Sequence, residues 1–440
     1  MLKHYRIAGR AASEIVASVE RGIAAGALEP GAQLPTVRAL ARELGLSPAT
    51  VAAAFRDLRT RGLIAGDGRR GTAVLPRPPL TTRGAVAIPP GVRNLALGNP
   101  DPAFIPDLSR ALGRLGPSRR MYGETPIRPE LRALAVAMFT ACGIPAEHLA
   151  VTSGAFDGVE RLLTAYLRAG DAIAIEDPGY PDVADLAHAL GLRVRPMRLD
   201  EHGPVPAELD RVLRAGAAAV VITPRAQNPT GAALDSDRVG ELRRILARHP
   251  ETLLIEDDHA GPVAGAPALT LASRECGRWA VVRSVSKSLG PDLRLALMVG
   301  DETTVNRVVG RQRLGAGWVS TILQRLVAEL LRDSEILELI SAAESAYGER
   351  RAALIGALAR RGIAASGRSG LNVWIPVAEE AATAQALIGA GWGVAPGERY
   401  RIASAPAIRV TVAALAAAEV ESFAAALATT RAAGGRTRPA

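Results

Sequence analysis

Residues 284–294 read SVSKSLGPDLR and place Lys287 among serines, with Arg294 seven positions later. This stretch ends one of several short apolar runs, each of which finishes in small, polar or acidic residues. The runs are HLAVTSG (148–154), DAIAIEDP (171–178), AAVVITP (218–224), TLLIEDD (252–258) and WAVVRSVSK (279–287). Buried parallel strands have this pattern, and α/β folds bind ligands at the carboxyl ends of such strands. The sequence therefore predicts an α/β domain with a ligand site at the carboxyl ends of these strands.

The N-terminal region has a different pattern, typical of short helices. In LPTVRALARELGLSPATVAAAFRDLRTRGLI (34–64), Thr36 is a suitable cap for one helix and Ser47 for the next. The apolar residues of each predicted helix fall on one face. The following GLIAGDGRRGTAV (62–74) suggests two short strands around a glycine-rich tip. This order predicts a winged helix-turn-helix.

Composition narrows the function classes. The formal net charge of the 440 residues is +9, and residues 1–78 hold 12 Lys and Arg against 6 Asp and Glu. A basic N-terminal region favours a polyanionic partner. The chain has two cysteines, Cys142 and Cys276. Their number and spacing fit neither a set of disulfide bonds nor a metal site, so we predict no bound metal. The sequence has no signal-peptide pattern and no apolar run of about 18 residues, so we expect a bacterial cytoplasmic protein without a membrane partner.

The patterns predict four regions along the chain. Residues 1–75 form the winged helix-turn-helix, and residues 76–93 form a linker rich in proline and glycine. Residues 94–430 form the α/β domain, and residues 431–440 form a disordered tail.

Residues 10–76 resemble the DNA-binding domain of GntR-type bacterial regulators, through LPTVRALA, LGLS and the terminal GT of the wing. The resemblance implies binding to a double-stranded DNA operator, with association with the nucleoid in that state. Pro48 stands where many relatives have arginine, so the operator sequence cannot be transferred. A small helical domain with a solvated basic face is the alternative. The implied DNA-binding residues are Thr36, Arg38, Ser47, Thr50, Arg69, Arg70 and Gly71.

Residues 94–430 resemble the fold-type I aminotransferases, which use pyridoxal 5′-phosphate. TSGAF, EDPGYP, QNPTG, IEDDHAG, SVSKSLGPDLR and AIRVTVA occur in the family order. The resemblance implies that Lys287 forms an internal aldimine, Asp257 keeps the pyridine nitrogen protonated and Asn228 contacts the phenolic oxygen. Tyr180 matches the aromatic residue over the ring, and Arg409 the residue that binds an α-carboxylate. The phosphate is expected to lie against Ser153, Gly154, Ala155, Ser284, Ser286 and Arg294.

Two positions depart from the pattern of this family. His259 stands where a tyrosine near the phenolic oxygen is common, and the alternative is a strand-end histidine bonded only to its neighbours. In YGETPIRPELR (122–132), Tyr122 matches a tyrosine that reaches the partner subunit's phosphate, but Ile127 replaces a glycine.

The two domains in this order resemble the MocR subgroup of GntR regulators. The resemblance implies a homodimer and a transcriptional regulator that senses an amino compound, or pyridoxal phosphate itself, through an aldimine at Lys287. A functional aminotransferase that carries a DNA-binding domain is an alternative, and residual transamination is compatible with both. A DNA-binding protein whose large domain holds no cofactor is a third class.

Overall fold

The computed structural model describes residues 5–60, 63–67, 71–75 and 88–434. It divides into two compact units, one built on the described residues up to 75 and one on most of those from 88 onward. In the described part of the chain, no helix is both long and apolar enough to cross a membrane.

The smaller unit is a bundle of helices with a short antiparallel sheet. Its strands lie in the order β1-β3-β2. Ile15, Leu40, Phe55 and Leu58 are buried at the helix interfaces. These features confirm the predicted winged helix-turn-helix. The elements within its described residues are α1 (Ala12–Ala24), β1 (Gln33–Leu34), α2 (Val37–Leu44), α3 (Pro48–Thr60), β2 (Ile64–Asp67) and β3 (Gly71–Val74).

The larger unit is an α/β structure, as predicted. Its first elements are β4 (Arg93–Asn94), α4 (Ser109–Arg114), α5 (Pro129–Thr140), β5 (His148–Thr152), α6 (Ala155–Tyr166), β6 (Ala172–Asp177), α7 (Pro181–Ala189), β7 (Arg193–Asp200), β8 (Gly203–Pro204), α8 (Pro206–Arg214), β9 (Ala217–Ile222), α9 (Ser236–Leu246), β10 (Leu253–Asp258), β11 (Arg278–Ser284) and β12 (Ala296–Gly300). The remaining elements are α10 (Glu302–Arg313), α11 (Thr321–Leu330), α12 (Ser334–Ala359), β13 (Asn372–Pro376), α13 (Glu380–Gly389), β14 (Trp392–Gly393), β15 (Ala395–Pro396), β16 (Ala407–Thr411) and α14 (Ala417–Gly434).

The large sheet brings the ends of the five predicted strands together. Within the described residues it has eight strands in the order β5-β12-β11-β10-β9-β6-β7-β8. Strands β6, β9, β10 and β11 are parallel, whereas β12 is antiparallel to both β11 and β5. Strand β5 therefore points the same way as β11, and the carboxyl ends of the predicted strands share one edge. The sequence patterns did not predict β12, which inserts between β5 and β11.

The ends of the predicted linker and tail belong to ordered structure. Ile88 packs against a cluster that includes Trp374, and β4 pairs with β14. Helix α14 continues to Gly434. Residues 431–434 are therefore helical, whereas the sequence predicted that they are disordered. The other residues of these two predictions, 76–87 and 435–440, lie outside the described residues.

Candidate functional site

Lys287 lies just after β11 at the shared strand edge. Its Nζ donates a hydrogen bond of 2.8 Å to the carbonyl of Gly98. Burial, and secondarily the charge of Arg409, lower the pKa of Lys287 to about 8. A lowered pKa increases the fraction of neutral amine, which is the form that adds to an aldehyde.

Asp257 is a buried carboxylate near the end of β10. Among the described residues, its Oδ1 has no hydrogen-bond partner. Burial, and then the charges of Asp258 and Glu176, raise the pKa of Asp257 to about 7. A cationic N–H donor placed against Oδ1 would satisfy this oxygen and favour the ionised form.

Asp258 anchors the same strand end through two arginines, which the sequence patterns did not predict. It accepts two bonds of 2.9 Å from Arg225 and one of 2.7 Å from Arg283. Burial opposes its ionisation, but Arg225 and then Arg283 lower the pKa of Asp258 to about 2. The ionised carboxylate therefore fixes the backbone from which Asp257 projects.

His259 is bonded to a neighbouring loop. Its Nε2 lies 2.9 Å from the carbonyl oxygen of Ala226. Burial, and then the charge of Lys287, lower the pKa of His259 to about 4. The ring is therefore neutral near pH 7, and its Nε2 carries the hydrogen because a carbonyl only accepts. The other nitrogen, Nδ1, is an acceptor, unlike the hydroxyl of the tyrosine that is common at this position.

Arg409 on β16 is buried among neutral acceptors. Its Nη1 donates to Asn228 Oδ1 at 2.9 Å, and its Nη2 donates to the Ala96 carbonyl. The guanidinium carbon lies 4.8 Å from the centre of the Tyr400 ring. Burial lowers the pKa of Arg409, and its Nε has no hydrogen-bond partner in the described chain. A carboxylate ligand would give this cation an ionic partner.

Asn228 and Tyr180 lie in loops after neighbouring strands. Because Asn228 Oδ1 accepts from Arg409, the Asn228 amide nitrogen is left as a donor for another group. The Tyr180 hydroxyl donates to Asp182 at 2.6 Å, and the ring meets Phe156 edge-on. Burial, and then Asp182, raise the pKa of Tyr180.

The predicted phosphate residues form two small clusters. Gly154 precedes α6 with a φ of 103°, and a Cβ there would lie 2.8 Å from Arg294 Nη2. The N–H of Ser153 donates to Asp157 at 2.8 Å, so the start of α6 leaves the amides of Gly154 and Ala155 for an anion. The second cluster consists of Ser284 and Ser286. The Oγ of Ser284 accepts a hydrogen bond of 3.1 Å from the N–H of Ser286.

Tyr122 is a strongly exposed residue of the larger unit. Its side chain is 91% exposed and contacts Trp318 edge-on, with ring centres 5.6 Å apart. Ile127 packs against the main hydrophobic core, an apolar contact that glycine would lack.

Four of the predicted DNA-binding residues lie on or next to α2 and α3, namely Thr36, Arg38, Ser47 and Thr50. Thr36 caps α2, and its Oγ1 accepts a bond of 3.2 Å from the N–H of Ala39. Ser47 Oγ accepts from the N–H of Thr50 at 3.2 Å, and the two hydroxyls lie 2.9 Å apart. Arg38 is exposed on α2, and Gly71 is exposed at the start of β3. Arg69 and Arg70 lie outside the described residues.

One signal in the sequence was not used by the motif patterns. The chain contains only two lysines, Lys3 and Lys287. All its other strongly basic side chains are arginines. A lone internal lysine is a candidate amine nucleophile, since arginine keeps its proton. Asn372 and Thr411 also face the site, and Thr411 Oγ1 donates to Asn372 Oδ1 at 2.9 Å. No motif pointed to that pair.

These residues fit pyridoxal 5′-phosphate. The unpartnered Oδ1 of Asp257 suits a protonated ring nitrogen, and the amine of Lys287 suits an aldehyde. Gly154 and Arg294 provide a close backbone approach and a cation for a phosphate.

Comparison with known proteins agrees with both units. The chain is 40% identical to the Salmonella typhimurium "Vitamin B6 salvage pathway transcriptional repressor PtsJ", over 95% of this chain and 98% of that protein. It is 28% identical to the Corynebacterium glutamicum "HTH-type pyridoxine biosynthesis transcriptional regulator PdxR", over 77% of each chain. A Pyrococcus horikoshii kynurenine aminotransferase structure shares the fold, with a TM-score of 0.71 and 20% identity over 78% of this chain and 91% of that one.

Two family models match the chain. Residues 11–74 match the model described as "Bacterial regulatory proteins, gntR family", and residues 90–427 match "Aminotransferase class I and II". The second family confirms the prediction of pyridoxal 5′-phosphate as the cofactor of the large domain. The chain therefore belongs to the GntR transcriptional regulators that carry a class I and II aminotransferase domain, the MocR subgroup.

Proposed function

We propose that the regulator senses an amino compound, or pyridoxal phosphate itself, at Lys287 and changes its binding to operator DNA. One observation carries this proposal. The Lys287 amine and the buried Arg409 guanidinium both bond to the backbone of residues 96–98, and Arg409 has only neutral hydrogen-bond acceptors among the described residues. A ligand with an amine and a carboxylate matches these two groups.

The contacts of the site residues support the following roles. When bound, pyridoxal phosphate supplies an aldehyde that reacts with amines and a ring that withdraws electrons. Lys287 would hold the aldehyde carbon, Asp257 the ring nitrogen and Asn228 the phenolic oxygen. The phosphate would be held by Gly154, Ala155, Ser284, Ser286 and Arg294.

The name of the relative with 40% identity supports a role in vitamin B6 metabolism. We place the target genes in that metabolism and the protein in the bacterial cytoplasm, beside the DNA. Binding of the intergenic DNA beside its own gene, measured with and without pyridoxal phosphate and candidate amines, tests the proposal. Equal affinity under every condition would reject sensing.

A working aminotransferase is the second candidate. The sequence has all four residues that the family resemblance assigns to this chemistry, namely Asn228, Asp257, Lys287 and Arg409. Steady turnover of an amino acid with 2-oxoglutarate would favour this candidate over a sensor.

We also propose a homodimer. Several large apolar side chains of the larger unit are strongly exposed, including Tyr122 at 91%, Leu314 at 85% and Met121 at 68%. An apolar surface of this kind favours association with another protein surface. A dimer would place two recognition helices on two half-sites of the DNA.

Arg409→Ala should weaken the response to a carboxylate ligand. We expect a loss of about 2 to 4 kcal/mol in binding of 2-aminoisobutyrate, because the ligand carboxylate would lose its buried cation. The measurement is titration of the visible cofactor spectrum. Isopropylamine, which lacks only the carboxylate, should lose much less affinity in the variant than 2-aminoisobutyrate does. Equal affinities for 2-aminoisobutyrate would show that its carboxylate does not bind Arg409.

Substitutions on the winged helix should separate phosphate contacts from base contacts. Arg38→Ala should lower affinity for all DNA sequences. It should also reduce the slope of log affinity against log salt concentration by about one per subunit. The same result is expected for Arg69 or Arg70. Thr50→Ala should instead change which bases are preferred. Salt titrations and a footprint over two half-sites provide the measurements, and an unchanged slope for Arg38→Ala would remove Arg38 from the interface.

A further inference from the structure

The turn at Ala226 has a backbone conformation that residues with a Cβ rarely adopt. Ala226 has a φ of 52°, in the left-handed region, and is buried in the loop that follows β9. A strained residue of this kind keeps its conformation only when the surrounding structure fixes it. Asn228 lies two residues further along the same loop. The contacts that fix Ala226 therefore also decide where Asn228 lies.

Two side chains bond to the two polar backbone groups of Ala226. The N–H of Ala226 donates to Ser369 Oγ at 2.7 Å, and its carbonyl oxygen lies 2.9 Å from His259 Nε2. The buried hydroxyl of Ser369 donates in turn to the carbonyl of Gly231 at 3.1 Å. A Cβ at Gly370 would lie 2.5 Å from the Cβ of Ala226, so the backbone also packs closely there. The turn is thus held from the end of β10 on one side and from the segment before β13 on the other.

The bond to Ala226 leaves His259 without a donor for the cofactor. The ring is neutral near pH 7, and its one N–H is used by the Ala226 carbonyl. The remaining nitrogen, Nδ1, can only accept a hydrogen bond. Asn228 keeps its amide nitrogen as a donor, because its Oδ1 accepts from Arg409. An anionic phenolic oxygen needs a donor, so its contact suits Asn228 and not His259.

We propose that His259 is a positioning residue, which clamps the turn at Ala226 and thereby places Asn228 against the cofactor. The role depends on the contact between Asn228 and the phenolic oxygen, and so rests on the proposed function. Loss of the His259 bond would leave the buried Ala226 carbonyl without its donor and allow the strained turn to relax. Asn228 would move with the turn, and pyridoxal phosphate would bind less tightly.

Two amide substitutions at His259 separate the roles of its ring nitrogens. In His259→Gln the amide nitrogen can reach the place of Nε2 and donate to Ala226, so the affinity of the apoprotein for pyridoxal phosphate should stay close to that of the wild type. In His259→Asn the shorter amide reaches only the place of Nδ1. Its affinity should fall roughly three- to tenfold, the range for one lost hydrogen bond.

A substitution at another histidine is the control for these two variants. His188→Asn, at an exposed position of α7, should keep the wild-type affinity for pyridoxal phosphate. Urea unfolding of each apoprotein shows whether the variants are folded. A loss of affinity in His259→Gln but not in His259→Asn would overturn the clamp, because Nδ1 would then be the nitrogen that matters.

Substitutions in the turn itself provide the second test. Glycine adopts a positive φ without strain, so Ala226→Gly should restore most of the affinity that His259→Asn loses. In an Asn228→Ala background, His259→Asn should cause no further loss, because a residue that acts through Asn228 has nothing left to place. A full additional loss in that background would refute the positioning role alone. An Asn228→Ala protein with wild-type affinity would overturn the proposed contact of Asn228 and the clamp together.

Discussion

Lys287→Ala should abolish covalent attachment of pyridoxal phosphate. Borohydride reduction of the wild-type holoprotein should fix the cofactor on Lys287, whereas the variant should carry no label there and lose its visible absorbance band. The physical reason is that alanine has no amine. A neighbouring arginine cannot replace Lys287 as the nucleophile, because a guanidinium group stays protonated. Peptide mass spectrometry after reduction gives the measurement.

The lysine content of the chain supplies a matched control for that experiment. Lys3 is the only other lysine, so Lys3→Ala should retain the full label and spectrum. Circular dichroism of Lys287→Ala should match that of the wild type, because removal of one side chain from the pocket leaves both cores intact. A wild-type spectrum in Lys287→Ala would exclude Lys287 as the attachment point.

Asp258→Asn should destabilise the large domain by about 3 to 5 kcal/mol, the cost of leaving buried charges unpaired. Arg225 and Arg283 both bond to this carboxylate, and all three side chains are buried. Asparagine is neutral, so both guanidinium groups would lose their ionic partner, and its NH2 group cannot accept the hydrogen bonds that the replaced oxygen accepts. Urea unfolding followed by the fluorescence of the large-domain tryptophans measures the loss.

A surface carboxylate with two arginine partners is the control for Asp258. Glu421 pairs with Arg360 and Arg361 but is 56% exposed, so Glu421→Gln should change stability by less than about 1 kcal/mol. The pH dependence should also differ. The pKa of Asp258 is lowered from 3.8 to about 2. Its contribution to the free energy of unfolding is therefore complete above about pH 4 and is lost as the pH falls towards 2. Asp258→Asn should lack this part of the acid transition, and equal losses for the two variants would contradict a buried ion cluster.

The sequence was sufficient for features that depend on neighbouring residues. Thr36 and Ser47 were predicted as helix caps, and both accept the expected backbone bonds. This success has a local cause, because a cap acts on an amide two or three residues away. Lys287 and Asp257 were placed at strand ends for a similar reason, since an apolar run that stops at a polar residue marks the end of a buried strand.

The sequence by itself thus determined the two domains, the cofactor class and the strand ends that carry the site. Only the tertiary structure decided the partners of those residues. It inserted β12 beside β11, gave Asp258 two arginines and joined Gly98 to Thr411 across 313 positions of the chain. Burial and hydrogen bonding between distant segments depend on how the sheet is ordered in space. The spatial order of the strands cannot be predicted from periodicity or motif spacing, because periodicity reflects only residues that are close together in the sequence.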